Sequence, residues 1–166
     1  MYLMFDSVDL TQIPKNPHAV AGYVGGQWPT DSHDALRRLF PHSFVVSIAT
    51  EANQIADFLD VENGDASITQ LRGWMDWMFE LKRDRPGVYG SRSTQDSVPG
   101  TLRGLKRQTY RKWLADPTGV PHCPNDFGAC QFDWHYLNRN LDVSLCQPWF
   151  FTAENQPLYL LDQHTA

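Results

Sequence analysis

The residues best placed to do chemistry lie in one short stretch, Ile55-Ala56-Asp57-Phe58-Leu59-Asp60-Val61-Glu62-Asn63-Gly64-Asp65. An apolar run that ends in acids before a turn and a helix reads as a strand carrying carboxylates at its C-terminal edge. Residues two apart in a strand share a face and stand roughly 6.6 Å apart, which sets Asp60 beside Glu62. Two adjacent carboxylates divide labour when burial or a neighbouring anion raises the pKa of one. The protonated group then gives a proton while the ionised one stabilises positive charge. Cleavage of a glycosidic bond through an oxocarbenium-like transition state needs such a pair. The same residues also suit a plain acidic turn before a helix, and Asp65 reads better that way, since acids are favourable near a helix N-terminus. Spacing alone leaves retention and inversion open.

Two further acids fall at strand ends: Asp6 in Phe5-Asp6-Ser7-Val8 and Asp142 in Leu141-Asp142-Val143-Ser144. If the sheet closes on itself, the first and last strands become neighbours, and Asp6 and Asp142 join Asp60 and Glu62 at one mouth.

The elements that must position these acids are short and separated by Pro and Gly. Strands are expected at Tyr2 to Phe5, Val20 to Val24, Phe44 to Ile48, Ile55 to Val61, Val88 to Tyr89, Lys112 to Ala115, Ala129 to Tyr136 and Leu141 to Leu145. The clearest helix runs from Ala66 to Lys82, where Ile68, Leu71, Met75, Met78 and Leu81 form one apolar stripe and Ser67 and Gln70 have capping-box spacing. Shorter helices are expected at Ser32 to Phe40 and near Val98 to Gln108. Strands alternating with helices predict an α/β protein with a largely parallel sheet, best closed as a small modified (β/α) barrel of about eight strands. Full eightfold barrels take roughly 200 residues or more, so this chain must have reduced helices. An open doubly wound sheet is the other arrangement compatible with the pattern. The barrel domain is expected over 1–146, with 147–166 as a C-terminal hairpin or arm in which Trp149-Phe150-Phe151 and Leu158-Tyr159-Leu160-Leu161 either cover the barrel or dock on a partner.

Phe5-Asp6-Ser7-Val8, Asp60-Val61-Glu62, Val88-Tyr89-Gly90-Ser91, Lys112-Trp113-Leu114-Ala115-Asp116, Trp134-His135-Tyr136 and Asp142-Val143-Ser144 occur in this order. Together they resemble the Asp, Asp-x-Glu, Tyr, Trp-x-Ala, Trp-Gln-Tyr and Asp-x-Asn strands of the family 25 glycoside hydrolases, the Chalaropsis-type lysozymes, and related glycoside-hydrolase-like domains of bacteria and phages. The resemblance spans roughly residues 2–145. It implies a modified barrel that cleaves peptidoglycan glycan strands after N-acetylmuramic acid without a cofactor. Glu62 would be the general acid/base, Asp60 would orient the acetamido group or stabilise charge, and Asp6 and Asp142 would support the site. His135 stands where the family has Gln and Ser144 where it has Asn. A non-catalytic barrel serving carbohydrate binding or assembly in a virion or on a cell surface is the alternative, and metal-dependent phosphodiester hydrolysis by acids holding Mg2+ or Ca2+ is a third.

Sugars offer flat apolar faces to aromatic rings, which makes Trp28, Tyr89, Trp113, Trp134 and Tyr136 candidate substrate platforms. The charge balance, 14 Lys and Arg against 19 Asp and Glu, is -5 overall. It gives no general attraction to nucleic acid or to an anionic membrane, so neither is an expected partner. The dense basic run of Arg103, Lys106, Arg107, Arg111 and Lys112 reads as a solvated helix face. No apolar run has the length of a membrane span. Three cysteines, Cys123, Cys130 and Cys146, preclude a fully paired disulfide set. Cys123 and Cys130, with His122 and His135 near, are metal-ligand types. Six intervening residues are too many for the usual close Cys pair, and no metal is expected. The first five residues lack a basic region and run into Asp6 and Asp9, so no secretory signal is expected. The resemblance places the protein in a virion or released to the bacterial wall, with peptidoglycan or another polysaccharide as its partner and an assembly protein on the arm.

Overall fold

The computed structural model describes residues 1–25 and 33–157. Eight strands close into one barrel: β1 (Tyr2–Asp6), β2 (Ala19–Tyr23), β3 (Phe44–Ala49), β4 (Phe58–Asp60), β5 (Gly87–Ser91), β6 (Arg111–Ala115), β7 (Ala129–Asp133) and β8 (Asp142–Cys146). β1 to β7 run parallel, each beside its predecessor, and β8 lies antiparallel between β7 and β1. Among the described residues only three α-helices accompany them: α1 (His33–Leu39), α2 (Ile68–Glu80) and α3 (Arg92–Thr101). The chain is thus a closed mixed α/β barrel with reduced helices, and none of its described helices is long and apolar enough to cross a membrane.

Both faces of the strands are apolar, and alternation sorts them. Met4, Ala19, Ala21, Val46, Ile48, Phe58, Trp113, Ala129 and Cys146 fill the barrel interior. The intervening residues point outward: Leu59 and Val88 meet α2 and α3, Val20 and Val45 meet Leu36 of α1, and Leu114 and Cys130 meet Phe127. Burial on both faces is what a parallel sheet under helices requires. The small side chains of β2, together with Ala115 and Ala129, leave space for Phe58, Trp113 and Phe150, which pack edge-on and stacked at centroid distances of 5.0–6.0 Å.

Local signals account for the helix ends. At the start of α2 the Gln70 side chain accepts from the Ser67 N–H at 2.9 Å, the reciprocal half of the expected capping box. The helix stops before Pro86: Lys82 turns left-handed (φ 59°) and the Arg83 N–H bonds back to Met78 O at 3.0 Å. α3 is displaced from the expected 98–108. It begins directly after β5, with Ser91 as its cap, and ends at Thr101. Its buried positions include Gln95, whose amide donates to Trp113 O at 2.9 Å, so a polar residue occupies the inner stripe and hides the periodicity.

The basic run is also corrected. Arg111 and Lys112 belong to β6 and are 1% and 9% exposed, not on a solvated helix. Arg111 closes the floor of the barrel, donating to Phe150 O and to Asn155 Oδ1 and lying 4.6 Å above the Phe58 ring. The described part of the C-terminal arm is no hairpin. Two 3-10 turns, Pro148–Phe150 and Ala153–Asn155, cross the floor and seat Phe150, Phe151 and Asn155 in it. The stretch Leu158-Tyr159-Leu160-Leu161 lies outside the described residues.

Candidate active site

Asp6 is the last residue of β1 and Asp142 the first of β8, and the two are direct cross-strand partners. Facing Cβ atoms in such a pair stand about 4.5–5.5 Å apart. Asp142 therefore reaches the mouth for a reason opposite to the expected one. It starts its strand instead of ending it, and only the reversed direction of β8 brings that start to the C-terminal rim of the parallel strands. Asp60 ends β4 with the inward parity of Phe58. Glu62 lies just past the strand, where the Val61 N–H still bonds Tyr89 O at 3.0 Å. The four acids expected to converge are brought to one rim, where active sites of (β/α) barrels lie.

Their environment raises every one of their pKa values. Burial lifts Asp60 to about 9, helped by the charges of Glu62, Asp65 and Asp6. Asp6 is pushed well above the carboxylate range by burial and then by Asp142. Burial also raises Asp142, to about 7, while a hydrogen bond from Gln131 holds it down. Glu62 is raised by burial and by Asp65. Asp6 Oδ2 and Asp60 Oδ1 are buried and have no hydrogen-bond partner among the described protein atoms. A buried carboxylate oxygen left without a donor makes the ionised form costly, the same direction as the raised pKa of Asp6 and Asp60.

Three residues that sequence reasoning passed over take part. Tyr23, inward at the end of β2, has its phenol pKa raised by burial and by the charges of Asp6, Asp60, Asp142 and Asp65. Gln131, 2% exposed in β7, accepts from the Tyr89 hydroxyl and also reaches Asp142. Asp65 acts electrostatically on Asp60 and Glu62, whereas the cap of α2 is Ser67. For Tyr23 the signal was present, since Ala19, Ala21 and Tyr23 share a face. For Gln131 it was masked by extending β7 to Tyr136, when the strand ends at Asp133.

The aromatic candidates separate. Trp113 is 0% exposed, with its indole N–H on Ser144 Oγ at 3.0 Å; it is interior packing and no sugar platform. Tyr89 is buried as well, 4.8 Å edge-on from Trp113, and works through its hydroxyl. Tyr136 packs against Phe5 at 6.0 Å. Trp134 is half exposed in the loop after β7. Trp28 lies outside the described residues. Glu62 borders an open cleft of about 560 Å³ in which Val61, Ala66 and Ile68 make an apolar wall and Asn63, Ser91 and Thr94 supply polar groups.

Among the described residues, no three of the mouth acids bring ligand oxygens within 4.8 Å of one another; Asp116, His122 and Cys130 do bring such ligand atoms together, outside the mouth. All three cysteines are free thiols.

No family model matches the chain, and no curated protein does. Among solved structures, a B. stearothermophilus protein described as uncharacterized superposes with a TM-score of 0.63, covering 90% of this chain and 98% of its own, at 14% identity. At that identity the likeness concerns the fold: the chain shares its barrel with that protein.

Proposed function

We propose that this chain is a glycoside hydrolase acting on peptidoglycan glycan strands, with Glu62 as general acid/base. The observation that carries the proposal is the convergence of Asp6, Asp60, Glu62 and Asp142 on one rim with every pKa raised. Glu62, just past β4, is less enclosed than Asp60 and borders the cleft, so it is the one that can reach a bound chain. It donates its proton to the glycosidic oxygen as the C1–O bond breaks. Positive charge developing at C1 faces the Asp6–Asp142 carboxyl pair. Water then delivers hydroxide to C1, and its remaining proton returns to the carboxylates. Asp60, neutral at pH 7, is a hydrogen-bond donor and so suits the orienting role toward an acetamido carbonyl better than the charge-stabilising one. The peptidoglycan assignment rests on the sequence motifs.

Glu62→Gln keeps the shape and removes the titrating proton. We expect it to lower release of reducing ends from purified walls by about 10²–10⁴-fold with unchanged circular dichroism. Equal release by wild type and variant would overturn the assignment.

A second reading, a non-catalytic barrel that binds glycan or serves an assembly, draws on the burial of Tyr89 and Trp113, which leaves few exposed rings at the mouth. It predicts retention of the wild type on insoluble peptidoglycan with no bond cleavage. The described arm is occupied by the barrel's own floor, so docking through it would fall to residues after 157.

A further inference from the structure

Just past the C-terminal end of β6, with Cys130 on the outward face of β7, a carboxylate oxygen of Asp116, an imidazole nitrogen of His122 and the sulfur of Cys130 lie within 4.8 Å of one another. We propose that these three side chains form a binding site for a zinc-type divalent cation. The first argument is the orientation of the imidazole. His122 Nδ1 lies 2.8 Å from Val120 O, a carbonyl that only accepts, so this nitrogen carries the ring proton. Nε2 then turns its lone pair toward Asp116 Oδ2 at 3.1 Å and Cys130 Sγ at 3.4 Å. Three donor atoms face one another, with the back of the histidine held by a main-chain carbonyl, as ligating histidines are held.

Distances agree with this. With Zn–N and Zn–O near 2.0–2.1 Å and Zn–S near 2.3 Å, tetrahedral coordination places N and O about 3.3 Å apart and N and S about 3.5 Å apart. The N–O pair at 3.1 Å and the N–S pair at 3.4 Å already stand within a few tenths of an ångström of those edges, and the carboxylate oxygen and the sulfur lie within 4.8 Å. Arg92 Nη2 donates to the same oxygen, Asp116 Oδ2, at 3.1 Å and so holds the carboxylate in place beside the histidine. A set of one nitrogen, one oxygen and one sulfur suits zinc and its neighbours and discriminates against Mg2+ and Ca2+, which take oxygen. Asp116 and His122 are about one-third exposed and Cys130 is buried, so the cation enters from solvent and keeps one coordination position open.

The fold also gives such a cation something to do. Residues 116–128 join β6 to β7 with neither helix nor strand, at a length where connections are usually functional or loose. A cation fastening Asp116 at the end of β6 and His122 in the loop to Cys130 in β7 pins that loop to the rim. Cys123 is not part of the group: its thiol donates to Phe127 O at 3.5 Å, and Asp116 stands with His122 and Cys130 instead.

The test is titration of the tag-free, reduced full-length protein with Co2+ and then Zn2+. One equivalent of cobalt should develop the visible bands of a tetrahedral site and a thiolate-to-metal charge-transfer band. Zinc should bleach both and raise the melting temperature. Cys130→Ser should lose the charge-transfer band, His122→Ala should weaken binding about 100-fold, and Arg92→Ala about 10-fold. Cys123→Ser should keep the spectrum, and circular dichroism establishes that each variant is folded. A wild type without these bands, or a Cys130→Ser protein that keeps the charge-transfer band, would overturn the proposal.

Discussion

Asp60 is 3% exposed, and its carboxyl has nothing to gain from ionising: burial and three neighbouring acids raise it to about 9. An unfolded chain releases this proton near the ordinary carboxylate value of 3.8. Between those two values the folded state holds a proton that the unfolded state has lost, so the Asp60 contribution to stability is complete below pH 3.8 and is lost as pH rises toward 9. Asp60→Asn removes that dependence. We expect it to stabilise the protein by on the order of 1–3 kcal/mol at pH 8 and to have almost no effect at pH 4, read from urea unfolding at both pH values. A gain equal at the two pH values would mean that ionisation of Asp60 is not its source. A destabilised but chemically adapted acid is a common feature of functional sites, and here the cost falls on a residue at the mouth.

The strands tolerate such an acid because their contacts are close elsewhere. Gly87 opens β5 where a Cβ would meet the Phe58 ring at 2.1 Å, and Phe58 is itself stacked on Phe150 at 5.0 Å and edge-on to Trp113. β4 has only three residues, so it cannot shift without losing its register with β3 and β5. Gly87→Ala should cost about 1–3 kcal/mol through overpacking, seen as a lower urea midpoint at an unchanged slope. Gly100, with nothing within 4 Å of its Cβ position near the end of α3, should accept alanine with no loss. If Gly87→Ala were as harmless as Gly100→Ala, the close approach of β4 and β5 would be refuted.

The barrel as a unit sets its acid cluster and the closure of its floor at opposite ends. Its floor is closed by the segment after β8, and Asn155 is the pin of that closure. Its Oδ1 accepts from Arg111 Nη1, from the Thr152 N–H and from the Thr152 hydroxyl, each at 3.0 Å, and its amide donates to Val45 O at 3.0 Å. Arg111 is charged and 1% exposed, so loss of an acceptor is felt in full. Asn155→Ala should cost about 2–4 kcal/mol and lower the melting temperature. Hydrolysis below that temperature should be unchanged, because the mouth acids are at the other end. A variant equally stable but inactive would contradict this division.

Much of the barrel was legible along the chain, and the acids show where that legibility stops. Each strand announces itself by a short apolar run between Pro or Gly punctuation, and the stripe of α2 by its 3.6-residue period, because these are properties of consecutive residues. The acids of Asp60-Val61-Glu62 could be read for the same reason. The direction of β8, the burial of Arg111 and Gln95, the floor built by Phe150 and Asn155, and the role of Gln131 could not. Each depends on contacts between residues distant in sequence: Asp6 meets Asp142, Arg111 meets Asn155 and Val45 meets Asn155 only once the sheet has closed. Local pattern specifies which segments become strands and helices; desolvation and charge proximity, which set the pKa of every mouth acid, exist only after those segments pack.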